Sequence, residues 1–127
     1  MKYLESYNNF YYQEISHDKY SKMMGITGCR MGVNRVPFTE IERSMLEELF
    51  KENLVNYKFD VKIEAGTRHL EVYLDHGSTT FKYGIDKVND EWFLVFRHSN
   101  KNFETKKWKC DQIDGLIRLL KDQRIIL

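Results

Sequence analysis

The run Glu91-Trp92-Phe93-Leu94-Val95-Phe96-Arg97 constrains this chain more than any other stretch. Read as a strand, it sends Trp92, Leu94 and Phe96 to one face of a sheet and Phe93 and Val95 to the other. A strand that is apolar on both faces needs cover on both. The covers available are a C-terminal helix on one face, with N-terminal helices or an aromatic N-terminal arm over part of the other.

The C-terminal helix is legible in its spacing. Asp111 opens it, and Ile113, Leu116, Ile117 and Leu120 fall at i, i+3, i+4 and i+7, one apolar stripe that must be buried. Between the apolar strand and this helix, Asn100 and Asn102 mark a turn, and Phe103 to Cys110 returns as a second, lysine-rich strand.

Upstream, the apolar period is 2. Tyr57, Phe59, Val61 and Ile63 alternate with charged residues, as do Leu70, Val72 and Leu74 with His69, Glu71, Tyr73 and Asp75. Phe81, Tyr83 and Ile85 make a further strand. The turn clusters between them are short, which favours antiparallel neighbours in a meander.

Before residue 53 the signals are helical. Ser16 reads as an N-cap with Asp18 in the first turn, Ile15 and Tyr20 form a hydrophobic staple, and Gly25 ends the helix. Thr39 and Glu42 form a capping box for a second helix. On that helix Ile41, Met45 and Leu49 make one row, with Leu46 and Phe50 beside it. Residues 1 to 12, with Tyr3, Tyr7, Phe10, Tyr11 and Tyr12, read as an edge strand or as an arm packed across the domain. At the other end Ile125-Ile126-Leu127 either folds back as a short strand or docks into another subunit.

The expected architecture is a single α+β domain over residues 1–127. It has two N-terminal helices, a five-stranded antiparallel meander sheet and a C-terminal helix packed on the sheet. Leu116, Ile117 and Leu120 are expected to face Phe59, Val61, Leu70 and Val72.

Composition narrows the function classes. The 127 residues carry 20 basic and 19 acidic side chains, a net charge of +1. A dedicated duplex-DNA binder declares itself by a strong basic excess, because phosphate neutralisation supplies most of its affinity. Two cysteines, Cys29 and Cys110, are too few for a disulfide framework. The start of the sequence lacks the apolar run of a signal peptide, and no stretch approaches the roughly 18 apolar residues of a membrane span. The expectation is a cytoplasmic protein with no membrane contact.

Motifs for chemistry are sparse. His17, His69, His76 and His98 have no metal-ligand spacing to one another or to cysteine, so neither a metal nor a cofactor is expected. Gly25, Gly28 and Gly32 match no phosphate-loop spacing and read as a connector. Cys110 at a strand-to-helix junction, with His98 ending the neighbouring strand, is the one nucleophile candidate, and it reads better as a packed thiol. Paired carboxylates cannot be told from surface charge in this sequence. No catalytic residue is assigned, and the chain is expected not to be an enzyme.

One local asymmetry stands out: Arg97, His98, Lys101, Lys106, Lys107 and Lys109 against Glu104, with Phe103 and Trp108 interleaved. Basic residues mixed with rings on a sheet suit phosphate contact and base stacking. The same lysines also suit the protection of an edge strand. Trp108 and Phe103 fall on opposite faces of their strand, which splits the stacking platform.

The opening Met1-Lys2-Tyr3-Leu4-Glu5-Ser6-Tyr7-Asn8-Asn9-Phe10 resembles the starts of small accessory proteins of large tailed phages. Trp92-Phe93, then Lys109-Cys110-Asp111-Gln112, Gly115-Leu116 and Leu119-Leu120, is similar to the ends of some of them. The resemblance covers about a third of the chain, implies a viral accessory protein and carries over no catalytic residue. The functional expectation is a small non-enzymatic binding protein acting through protein–protein contact, with an unknown partner or a second copy of itself. The runner-up is a single-stranded nucleic-acid or nucleotide binder using residues 97–109.

Overall fold

In the computed structural model, the residues described are 11–26, 34–52, 66, 68–76, 79–98 and 106–126. Five strands make one antiparallel sheet: β1 (Tyr12–Ile15), β2 (His69–His76), β3 (Thr79–Val88), β4 (Glu91–His98) and β5 (Lys106–Cys110). Their order across the sheet is β1-β5-β4-β3-β2, so the strand apolar on both faces, β4, lies at the centre. Trp92, Phe93, Leu94 and Val95 are all buried there. Burying Phe93 or Leu94 is worth about 1.5–3 kcal/mol each, which only the central position collects in full.

Strands β2 to β5 run as a meander. The strand that alternation suggested at residues 57–64 lies outside the described residues. Among the described residues the fifth strand is β1, at the edge beside β5, with Tyr12 opposite Cys110 and Ile15 opposite Lys107. Of the N-terminal aromatic stretch only Tyr12 lies in this strand, and residues 1–10 lie outside the described residues. The Tyr12 hydroxyl donates to Asp122 at 2.5 Å and ties this edge to the end of the C-terminal helix.

Helices cover both faces. They are α1 (His17–Met24), α2 (Glu40–Glu52) and α3 (Ile113–Asp122). Their starts and stops follow local chemistry. Ser16 Oγ accepts from the Lys19 amide at 3.1 Å, and Gly25 ends α1 at φ 76°. At α2 the capping box closes both ways: the Thr39 amide donates to Glu42 Oε1 at 2.8 Å and the Glu42 amide to Thr39 Oγ1 at 3.2 Å.

The larger core lies on the face of Leu70, Val72, Ile85, Trp92, Leu94 and Trp108. Leu116, Leu119 and Leu120 of α3 are fully buried against it, with Ile113 and Ile117 at its margin. The buried stripe is thus one step round the helix from the expected one, and its partners Phe59 and Val61 lie outside the described residues. Helix α2 joins this same face through Leu46 and Phe50, while Ile41 is 74% exposed. The two N-terminal helices therefore divide between the faces, and the Ile41–Met45 row points away from the core. Buried Lys87 explains part of this: its Nζ lies 2.8 Å from Glu42 Oε2 and pins α2 to the sheet. After α3 the chain turns at Arg124 (φ 58°) and seats Ile125 and Ile126 in the same core, folding back within the chain.

The opposite face carries a smaller core. Tyr20 and Met24 of α1 pack on Ile15, Val88, Phe93 and Val95, and the rings of Tyr20 and Phe93 meet edge-on at 6.1 Å. α1 is short and covers only part of this face. Among the described residues no helix is long and apolar enough to cross a membrane.

Candidate functional site

The uncovered part of the smaller-core face is polar, and strand register builds it. His76 pairs with Thr79, so His69 falls opposite Asp86, Glu71 opposite Gly84 and Tyr73 opposite Lys82. On the next strand Val95 stands beside Gly84 and Arg97 beside Lys82. Side chains alternate, so His69, Glu71, Lys82, Asp86 and Arg97 all project to this one face.

Asp86 is its anchor. Its side chain is 1% exposed, and three groups converge on it. His69 Nδ1 lies 2.6 Å from Oδ1, the Tyr20 hydroxyl donates to Oδ2 at 3.3 Å, and Arg35 Nε sits 3.1 Å from Oδ1. The Arg35 contact is an ion pair without hydrogen-bond alignment, so that buried N–H has no hydrogen-bond partner. Taking a carboxylate out of water costs several kcal/mol, and this convergence of donors offsets it. Tyr20 comes from α1 and Arg35 from the segment before α2, so one carboxylate joins three parts of the chain.

His69 is held from both sides. Its Nε2 lies 3.1 Å from Glu71 Oε1. Glu71 is also bonded by the Tyr73 hydroxyl and paired with Lys82 Nζ at 3.1 Å. Burial alone would raise the Glu71 carboxyl, but hydrogen bonds from Tyr73, His69 and Lys82 overcome it and hold it at about 2. The hydrogen bond to Asp86 raises the His69 pKa above its ordinary value, against a smaller opposing effect of burial. Gly84 makes room for the ring: a Cβ there would stand 2.9 Å from His69 Cε1.

Between these groups lies a cavity of about 270 Å³, lined by Tyr20, Arg35, His69, Glu71, Lys82, Gly84, Asp86, Val95 and Arg97. Its cations are Arg35, Lys82 and Arg97 and its anions are Glu71 and Asp86, a surplus of one positive charge that a proton on His69 would raise to two. Both carboxylates are already engaged. Arg97 has no ion pair among the described residues and is exposed to the cavity.

No protein-family model, curated protein or solved structure matches this chain. The site is therefore read from its own geometry.

The structure separates the basic residues singled out in the sequence. Arg97 lines the cavity. Lys107 shares its face and is buried, with Nζ 5.5 Å from the centroid of the Tyr20 ring. Burial, and then the charge of Arg97, lower the Lys107 pKa. Lys109 is paired with Glu91 at 2.7 Å and with Asp111 at 3.2 Å. Lys106 is exposed and alternates to the other face. His98 ends β4, but its side chain, like Lys101, is outside what is described. Trp108 is buried in the larger core.

Cys110 is fully buried, and burial pushes its thiol up to about 12, helped by the charge of Asp111. Such a thiol is not a nucleophile at neutral pH. Among the described residues no group of three or more His, Cys, Asp or Glu side chains is placed to hold a metal ion.

Sequence reasoning missed Tyr20, Arg35, His69, Glu71, Lys82 and Asp86. For the hairpin residues a signal existed. Two residues, Gly77 and Ser78, separate His76 from Thr79, and a register counted outward from them puts His69 across from Asp86. Nothing local announces Tyr20 or Arg35.

Proposed function

We propose that this chain is a binding protein whose ligand is a small anion, held in the cavity between β2, β3 and β4 beside α1. The observation that carries the reading is the surplus of cations in a cavity whose two carboxylates, among the described residues, are internally committed. An arginine facing such a cavity with no carboxylate partner among the described residues is a donor set suited to an anion. The volume lies just below the ~300–1,000 Å³ of sites for drug-sized ligands, which suits a small molecule or a charged head group.

Binding is favoured over catalysis because the groups that would do chemistry are engaged. Both nitrogens of His69 face carboxylates, and the Cys110 thiol is buried. A small-ligand site is favoured over a strand-binding groove along residues 97–109 because Trp108 is buried and Lys109 is ion-paired.

Thermal unfolding with phosphate, sulfate, citrate and acetate as probes tests the reading. A probe at ten times its Kd stabilises by about 1.4 kcal/mol, a rise of roughly 4 °C for a domain of this size. Arg97→Ala should remove most of that rise and leave the ligand-free midpoint within about 1 °C, because Arg97 is exposed. The reading is wrong if no anion raises the midpoint, or if Arg97→Ala responds as the wild type does.

A further inference from the structure

We infer that the anion this site takes is a phosphate-type dianion, a phosphoryl group of a small molecule or free phosphate, and that it is bound with His69 held as the imidazolium. The inference rests on the anion-site reading above and specifies the ligand's charge and the proton that accompanies it.

The charge balance comes first. Arg35, Lys82 and Arg97 against Glu71 and Asp86 leave one positive charge, and a proton on His69 makes it two. A dianion neutralises the cavity in that state, whereas a monocarboxylate leaves it positive. A phosphomonoester carries about −1.5 to −2 at neutral pH and presents three acceptor oxygens, enough for converging arginine and lysine donors.

The second argument is geometric. His69 places Nδ1 2.6 Å from Asp86 Oδ1 and Nε2 3.1 Å from Glu71 Oε1. A neutral imidazole has one N–H, so one of these nitrogens would then turn a lone pair toward a carboxylate oxygen. Only the imidazolium donates to both. The groups that bear on the ring come from every neighbouring element: Glu71 and Tyr73 from β2, Lys82 and Asp86 from β3, Arg97 from β4, Tyr20 from α1 and Arg35 from the segment before α2. The carboxylates favour the proton and the cations oppose it. A bound dianion screens those cations and tips the balance further toward the charged ring, which takes its proton from solvent. The raised pKa of His69 has the same sign.

By linkage, every unit by which the dianion raises the His69 pKa makes binding about tenfold weaker once the pH has risen through that pKa. Sulfate is the cleaner probe, because it keeps two negative charges throughout, whereas phosphate loses one below its second pKa near 6. Calorimetric titrations at constant ionic strength, from about pH 6 to 9, would use sulfate, inorganic phosphate, methyl phosphate and acetate. The dianions should bind at least about tenfold more tightly than acetate at pH 7. Sulfate affinity should fall across the range in the wild type, and His69→Gln should flatten that slope.

A second readout does not depend on the variant. The His69 ring resonance of the wild type should titrate at a higher pH in saturating sulfate than without it. Methyl phosphate binding as well as phosphate identifies an esterified ligand, and binding of inorganic phosphate alone identifies the free ion. Acetate equal to the dianions, or a His69 pKa unmoved by sulfate, overturns this inference while leaving the anion site standing. Failure of every anion to bind removes the anion site and this inference with it.

Discussion

Asp86 shows why single residues here carry more than local weight. Its buried carboxylate is hydrogen-bonded to His69 and Tyr20 and ion-paired with Arg35. Removing it leaves the Arg35 guanidinium, the His69 ring and a buried hydroxyl without their common partner. Asp86→Ala should therefore cost about 3–5 kcal/mol in denaturant melts; a loss below roughly 1 kcal/mol would mean the cluster does not hold β2, β3 and α1 together. The pH dependence follows from His69. Its folded pKa is raised above the 6.5 of a free imidazole, first by the Asp86 hydrogen bond. A raised folded pKa gives stability that is complete below about pH 6.5 and is lost as the pH rises through the raised value. Between about pH 6 and 9 the wild type should lose more of its melting temperature than His69→Gln. Glu71, held at about 2, stays ionised throughout and adds no slope there.

Among the elements, α3 departs furthest from what its sequence suggests. It has a clear apolar stripe, yet its N-cap Gln112 makes no side-chain capping bond, and Asp111 turns to Lys109 instead. Gly115 sits in the first turn, and Gly costs roughly 0.5–1 kcal/mol against Ala in a helix by propensity alone. The structure reverses the sign. A Cβ at Gly115 would stand 2.0 Å from the carbonyl oxygen of Tyr11, where the chain enters β1. That neighbour is backbone and cannot swing aside. Gly115→Ala should destabilise by about 1–3 kcal/mol or more, where propensity alone predicts a small gain; urea unfolding decides between them. The caps of α1 and α2, by contrast, form as their residues imply, because each closes within four residues of chain.

For the whole molecule, the decisive requirement is cover on both faces of β4. Leu116, fully buried beneath α3, tests one side: Leu116→Ala should cost about 2–5 kcal/mol. A loss under about 0.5 kcal/mol would show that α3 does not seal the larger core. The sequence by itself determined the elements whose signals are local. Alternation marked β2 and β3, caps marked α1 and α2, and the both-sided apolar run marked β4 and required a layer on each face. Those patterns act over a few residues, so they survive without knowledge of the fold. Tertiary structure alone decided which strand fills the edge, which helix covers which face and where charge gathers. Tyr12–Ile15 pairs with a strand nearly a hundred residues away. α2 goes to the α3 face, where Lys87 meets Glu42, and Arg35 and Tyr20 reach Asp86 from distant segments. A buried charge selects its partners by distance in space, and the binding site is made of such choices.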